Sequence, residues 1–123
     1  MVPEDLIKKA IVAQKRAKAP YSKYPVGAAL LTTDNLVILG CNIESKAYPT
    51  TLCAERVAIF SAISQGYNDF SAMALITQDG AFPCGSCRQI ISEYAGNIPL
   101  YIAKDLDSYV TQTISDLLPY PFG

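Results

Sequence analysis

Three cysteines and one glutamate carry the chemistry available to this sequence. Cys53, Cys84 and Cys87 offer thiolate ligands, and Glu55 follows Cys53 by two residues. Alone, Cys84-Gly85-Ser86-Cys87 fits either a metal pair or a redox dithiol. With Cys53 added, three thiolates can hold a tetrahedral zinc and leave its fourth position to water, whose pKa a catalytic zinc lowers far below that of bulk water, towards neutrality. Glu55 is close enough along a first helical turn to face that position without ligating the metal, which makes it the candidate proton carrier. The chain has no histidine, so thiolates and carboxylates must take the roles imidazole otherwise fills.

Three thiolates on a dication leave the site negative and weaken its Lewis acidity. Arg56, directly after Glu55, and Gln89, two residues after Cys87, are placed in sequence to donate to sulfur and offset this. For Arg56, a surface or structural ion pair is an equal reading. The bland alternative for the metal is a closed structural site with Cys41 as fourth ligand. Structural ligands usually come in close pairs, whereas Cys41 is well separated from Cys53 and sits in an apolar run, where a small thiol reads as core.

The elements that must position these groups follow from periodicity. Pro3, Glu4 and Asp5 open a helix that runs to about Ala17, with Leu6, Ala10 and Ala13 at helical spacing beside Ile7 and Ile11. Val26–Leu31 and Leu36–Cys41 flank Thr-Thr-Asp-Asn and read as a hairpin. A helix starts near Cys53 and stops at Gly66, and Ser71–Thr77 reads as a third strand. Cys84–Cys87 lead into a helix over Arg88–Ala95, followed by a fourth strand over Ile98–Ala103. Both cysteine groups thus fall at helix N-termini, where partial positive charge favours thiolate. Strands three and four, joined through a helix, should be parallel in a mixed sheet. Asp107–Leu118 reads as a last short helix or strand.

Composition bounds the function. At 123 residues, 50% apolar and with a formal net charge of −1, the chain is expected to form one domain over residues 1–123. It lacks the basic field of a nucleic-acid binder, so a small neutral substrate is expected. The N-terminal MVPEDLIKKAIVAQKRAKAP has no signal-peptide core or unbroken apolar span, which predicts a cytoplasmic protein without membrane association. In that compartment the cysteines favour metal over disulfides.

The paired segments Cys53-Ala54-Glu55-Arg56 and Pro83-Cys84-Gly85-Ser86-Cys87-Arg88-Gln89 resemble the short, homotetrameric cytidine deaminases. They follow the general pattern of zinc deaminases, a His or Cys, a Glu and a later Pro-Cys-x-x-Cys. Pro20 to Leu30 is similar to the family's Tyr-Ser-x-Phe-x-Val-Gly-Ala-Ala segment, and Gly40-Cys41-Asn42-Ile43-Glu44 to its nucleoside-sugar motif, so the likeness spans nearly the whole chain. It implies a three-layer α/β/α sandwich with a mixed five-stranded sheet, the fifth strand near Ser108–Ile114. It further implies one Zn2+ per chain, hydrolytic deamination of cytidine and deoxycytidine in pyrimidine salvage, and a homotetramer with shared active sites.

By the same resemblance Asn42 and Glu44 bind the ribose hydroxyls, the Ala54 backbone meets the base, and the ring at position 24 lies against the pyrimidine. Tyr48 and Phe122 match residues that reach a neighbouring subunit's site. The chain departs from the family at Tyr24, where Phe is usual, and at Ser45, where Asn is common. Two other readings stay open: deamination of a cytosine-containing antibiotic nucleoside, as in blasticidin deaminases, against which the Asn42-Ile43-Glu44 motif counts, and a non-catalytic binding module with structural zinc.

Overall fold

The computed structural model describes residues 1–123. In chain order the elements are α1 (Pro3–Gln14), β1 (Gly27–Thr32), β2 (Val37–Cys41), α2 (Ala54–Ser64), β3 (Phe70–Ile76), α3 (Gly85–Ile90), β4 (Pro99–Asp105), β5 (Ser108–Thr113) and α4 (Ile114–Leu117). The strands form one five-stranded sheet in the order β2-β1-β3-β4-β5. As expected from the intervening helix, β3 and β4 are parallel, while the other neighbours are antiparallel.

Strand alternation divides the apolar residues into two cores. Ala28 and Leu30 of β1, Met73 and Leu75 of β3, and Leu100 and Ile102 of β4 point to one side, where Ala54, Ala58 and Ile59 of α2 cover them. Ile114 at the start of α4 packs on the same side. Ala29, Leu31, Ala72, Ala74, Ile76 and Ala103 point the other way, onto Leu6, Ile7 and Ala10 of α1. Leu6 and Ile7 are fully buried, each contributing roughly 1.5–3 kcal/mol relative to exposure. The result is the expected three-layer α/β/α sandwich, and no helix is long and apolar enough to cross a membrane.

Two glycines let helices lie directly on the sheet. A Cβ at Gly27 would fall 2.1 Å from the Ala10 carbonyl oxygen of α1, and one at Gly40 would fall 2.3 Å from that of Ala54 in α2. Hydrogen alone fits at these crossings, so the first turn of α2, which carries Ala54 and Glu55, is seated by Gly40.

Several boundaries differ from the sequence reading. Helix α1 ends at Gln14 rather than near Ala17 because the chain leaves it to pair beside the sheet: Lys18 N donates to Asn42 O at 3.0 Å and Glu44 N to Lys18 O at 2.8 Å. Asn35 takes a left-handed φ of 65° to close the β1–β2 hairpin. Helix α3 starts at Gly85 rather than Arg88 and continues as a π-helical turn over Ile91–Ala95, ended by Gly96 at φ 79°. Asp107–Leu118 holds both a strand and a helix, the short α4 being closed by a reciprocal cap between Thr113 and Asp116.

Candidate active site and metal centre

Cys53 and Cys84 occupy equivalent places: each is the N-cap of its helix, with extended backbone (ψ 154° and 167°), and neither side chain caps its own helix. A thiol is a weak acceptor in a position that usually takes Ser or Asp, which leaves the sulfurs free to point at a third group. Cys87, in the first turn of α3, is fully buried. The ligand atoms of Cys53, Cys84 and Cys87 all lie within 4.8 Å of one another, and the sulfurs of Cys84 and Cys87 are 3.4 Å apart. Zinc–sulfur bonds of about 2.3 Å in a tetrahedron separate sulfurs by roughly 3.8 Å, so the trio fits zinc with little adjustment. Cys41 lies outside this group and is half-buried rather than fully in the core.

The electrostatics favour metal binding. The Cys53 thiol is held down to about 5, first by a hydrogen bond from Cys87 and then by Arg56. Cys87 is pushed upward, because its proton sits against the Cys53 sulfur and because it is buried. A dication replaces that shared proton. Arg56 Nη2 donates to Cys53 Sγ at 3.3 Å, and its Nε is buried without a partner in the chain. Gln89 does not reach sulfur: its amide donates to Phe122 O at 3.2 Å and accepts from Phe122 N at 3.0 Å. Two residues along a helix turn a side chain about 200° away, which places Gln89 on the opposite face from Cys87.

Glu55 is 5% exposed and its carboxyl is raised above the usual range, chiefly by burial and secondarily by repulsion from Cys53. With Cys53, Ala54 and Cys84 it lines a cleft of about 400 Å3, within the range typical of small-molecule sites. Ala54 begins α2, where the first amides lack intrahelical partners. The cleft wall brings in Tyr24, Asn42, Glu44 and Tyr48 as well.

Each of these is held differently. Asn42 is buried, its Oδ1 accepting from Val26 N and its Nδ2 donating to Tyr24 O, both at 2.9 Å. Glu44 accepts from the amides of Tyr21 and Ser22 at 3.0 and 3.1 Å and from the Ser22 hydroxyl, and these bonds, the hydroxyl first, hold its carboxyl below the ordinary range. Tyr24 donates its hydroxyl to Asp79. Tyr48 is 83% exposed in a single 3-10 turn at the cleft rim. Phe122, 91% exposed, lies away from the cleft beside Gln89. Ser45 is occupied locally, its amide donating to Thr51 Oγ1 at 3.0 Å and its hydroxyl accepting from Ala47 N at 3.1 Å.

Sequence reasoning missed Ser22, Thr77 and Phe82, which also line the cleft. It also missed Arg88, whose Nε donates to Pro83 O at 2.7 Å and Nη1 to Leu117 O at 3.0 Å, tying the Cys84 turn to α4. Ser22 was visible in the Tyr-Ser segment and Arg88 in the Pro-Cys-x-x-Cys-Arg-Gln signature; Thr77 and Phe82 have no local signal, since their place at the cleft comes from long-range packing.

Residues 2–101 match the cytidine and deoxycytidylate deaminase zinc-binding region. The chain belongs to this family of zinc-dependent deaminases. It is 44% identical over 123 residues to a cytidine deaminase of Sporosarcina psychrophila, covering 98% of this chain and 90% of the relative. It is 43% identical over 120 residues to a cytidine deaminase of Halalkalibacterium halodurans, covering 95% and 91% respectively. The crystal structure of cytidine deaminase from Burkholderia pseudomallei superposes with a TM-score of 0.94 at 38% identity, over 99% of this chain and 100% of that one.

Proposed function

We propose that this protein hydrolyses cytidine and deoxycytidine to uridine and deoxyuridine with release of ammonia. The observation that carries the reading is the convergence of three sulfurs within 4.8 Å of one another with a buried Glu55 in a nucleoside-sized cleft. When bound by Cys53, Cys84 and Cys87, zinc supplies the Lewis acidity that lets water act as a nucleophile near neutral pH.

Glu55 moves the protons. It takes one from the attacking water and delivers it to N3 of the base, which makes C4 electrophilic as the C4–O bond forms. It then takes the remaining proton of that oxygen and delivers it to the exocyclic nitrogen, which departs as ammonia as the C4–N bond breaks. Water and cytidine are fully accounted for as uridine and ammonia, and Glu55 ends as it began. Burial in the first turn of α2 suits the carboxyl to exchanging protons.

The remaining contacts bind and orient. Asn42 and Glu44 hold the ribose hydroxyls, the Ala54 backbone meets the base, and the Tyr24 ring lies against the pyrimidine. The 123 residues act as a single deaminase unit. Tyr48 and Phe122, large aromatic side chains left at 83% and 91% exposure, support a homotetramer in which each completes a neighbour's cleft. Thiolate ligands suit a reducing compartment, consistent with cytoplasmic pyrimidine salvage.

The test is loss of cytosine absorbance and release of ammonia from cytidine and deoxycytidine, with zinc content and light-scattering mass measured on the same samples and Glu55→Ala as control. Turnover absent from the variant, at about one zinc per chain, supports the reading. Full zinc loading without turnover would leave a structural metal site or a modified nucleoside as substrate.

A further inference from the structure

Gly27 of β1 pairs with Ile76 of β3, so the segment entering β1 and the segment leaving β3 run side by side at the cleft. A hydrogen bond joins them, from the Tyr24 hydroxyl to Asp79 Oδ1. Tyr24 lines the cleft and Asp79 does not; the carboxylate holds the ring by its hydroxyl from outside the cleft lining. The same oxygen accepts from Ala81 N at 3.2 Å and Thr77 Oγ1 at 3.3 Å, and Thr77 and Ala81 are themselves cleft residues. On the other side, Tyr24 N donates to Ser22 Oγ at 3.1 Å, and Ser22 donates to Glu44. Between them Lys23 is held at φ 58°, a left-handed conformation that a lysine adopts only where its surroundings impose it.

We propose that Asp79 is a positioning residue for the deaminase cleft: by gripping the Tyr24 hydroxyl it fixes the aromatic wall and latches the Tyr21–Pro25 loop to the 77–84 loop that leads to Cys84. Ligand then meets a slot already formed, without the entropic cost of ordering the ring and both loops. Asp79 is held below the ordinary carboxyl range, the Tyr24 bond being the first cause, so the grip is charge-assisted at neutral pH. The phenylalanine usual in the family at this position would keep the ring and lose the latch, which makes the device a property of the Tyr24–Asp79 pair in this chain.

The kinetic arm of the test rests on the cytidine reading; a second arm does not. Asp79→Ala is expected to raise KM for cytidine about fivefold, the net scale of one solvent-exposed hydrogen bond, with kcat held within about twofold. Tyr24→Phe should raise KM by the same factor, the double variant no further, and Asp79→Asn, which keeps an acceptor but not the charge, should recover part of the loss. In the absence of nucleoside, amide exchange at Ala81 should quicken severalfold in Tyr24→Phe, because the hydroxyl that holds the Ala81 acceptor in place is gone. Additive effects on KM, or Ala81 exchange unchanged in Tyr24→Phe, overturn the latch. Wild-type protein that fails to turn over cytidine refutes the substrate reading instead, and the exchange measurement then decides the latch alone.

Discussion

Arg56 Nη2 donates to Cys53 Sγ at 3.3 Å from three residues further along the chain, the reach by which an N-cap side chain meets the third residue of its helix. The guanidinium therefore sits against the Cys53 sulfur, where it would offset part of the negative charge that three thiolates would impose on a bound zinc. Arg56→Ala should lower kcat/KM by about 10- to 100-fold. Removing a cation makes the nucleophilic water less acidic, so the acid limb of the rate profile should move to higher pH. The check is kcat/KM against pH at matched zinc content; a profile displaced in neither height nor position would reduce Arg56 to packing.

Glu55 is the sole carboxylate buried in the cleft, so in the proposed cycle the one group making both proton transfers has no understudy. Glu55→Gln should cut kcat by about a thousandfold or more while zinc content and uridine binding stay near wild type. Calorimetric binding of uridine alongside steady-state assays separates the two; a variant retaining a tenth of the activity would move the proton transfers elsewhere.

Glu44 is held below its ordinary pKa first by the Ser22 hydroxyl and next by backbone amides. A carboxyl depressed in the folded state adds stability that is present above its unfolded pKa and lost as pH falls through the folded value. Ser22→Ala removes the largest cause, so Glu44 should protonate at a higher pH than in the wild type. In a KM profile for cytidine on the acid side, the rise in KM should begin at higher pH in the variant. Coincident profiles would mean that Glu44 is not needed in its charged form.

Gly40→Ala tests the seating of α2. The added methyl would meet the Ala54 carbonyl oxygen at 2.3 Å and the Ala58 nitrogen at 2.5 Å, both backbone atoms that cannot swing aside. Overpacking of this kind costs about 1–3 kcal/mol, and because the displaced turn carries Glu55, activity should fall at temperatures where the variant is still folded. Thermal unfolding followed by circular dichroism, with assays well below the midpoint, reads both effects.

The parts of this molecule legible from sequence are those where residue type and spacing coincide with chemistry or strong periodicity. Cys53, Glu55 and Cys84-x-x-Cys87 could be read because thiolates at helix starts have few other uses, and the parallel β3–β4 pair followed from the helix between two apolar runs. The end of the chain resisted because β5 is an edge strand with little buried surface, Ser-Tyr-Val-Thr-Gln-Thr, and α4 is a single turn of four residues, too short for a period to register. Gln89 shows how adjacency misleads: near Cys87 in sequence, it faces the C-terminal tail in space. The Asp79 grip on Tyr24 bridges 55 positions of sequence, and no local pattern announces such a contact.

Cys41 stands apart from the other three sulfurs, and burial raises its pKa. That separation gives the protein an internal gauge. With zinc in place, a chromogenic thiol reagent should titrate one slow sulfhydryl per chain; stripped of metal, the same chain should titrate all four of its cysteines. Counting sulfhydryls would thus report how many active sites are loaded, without any nucleoside being added.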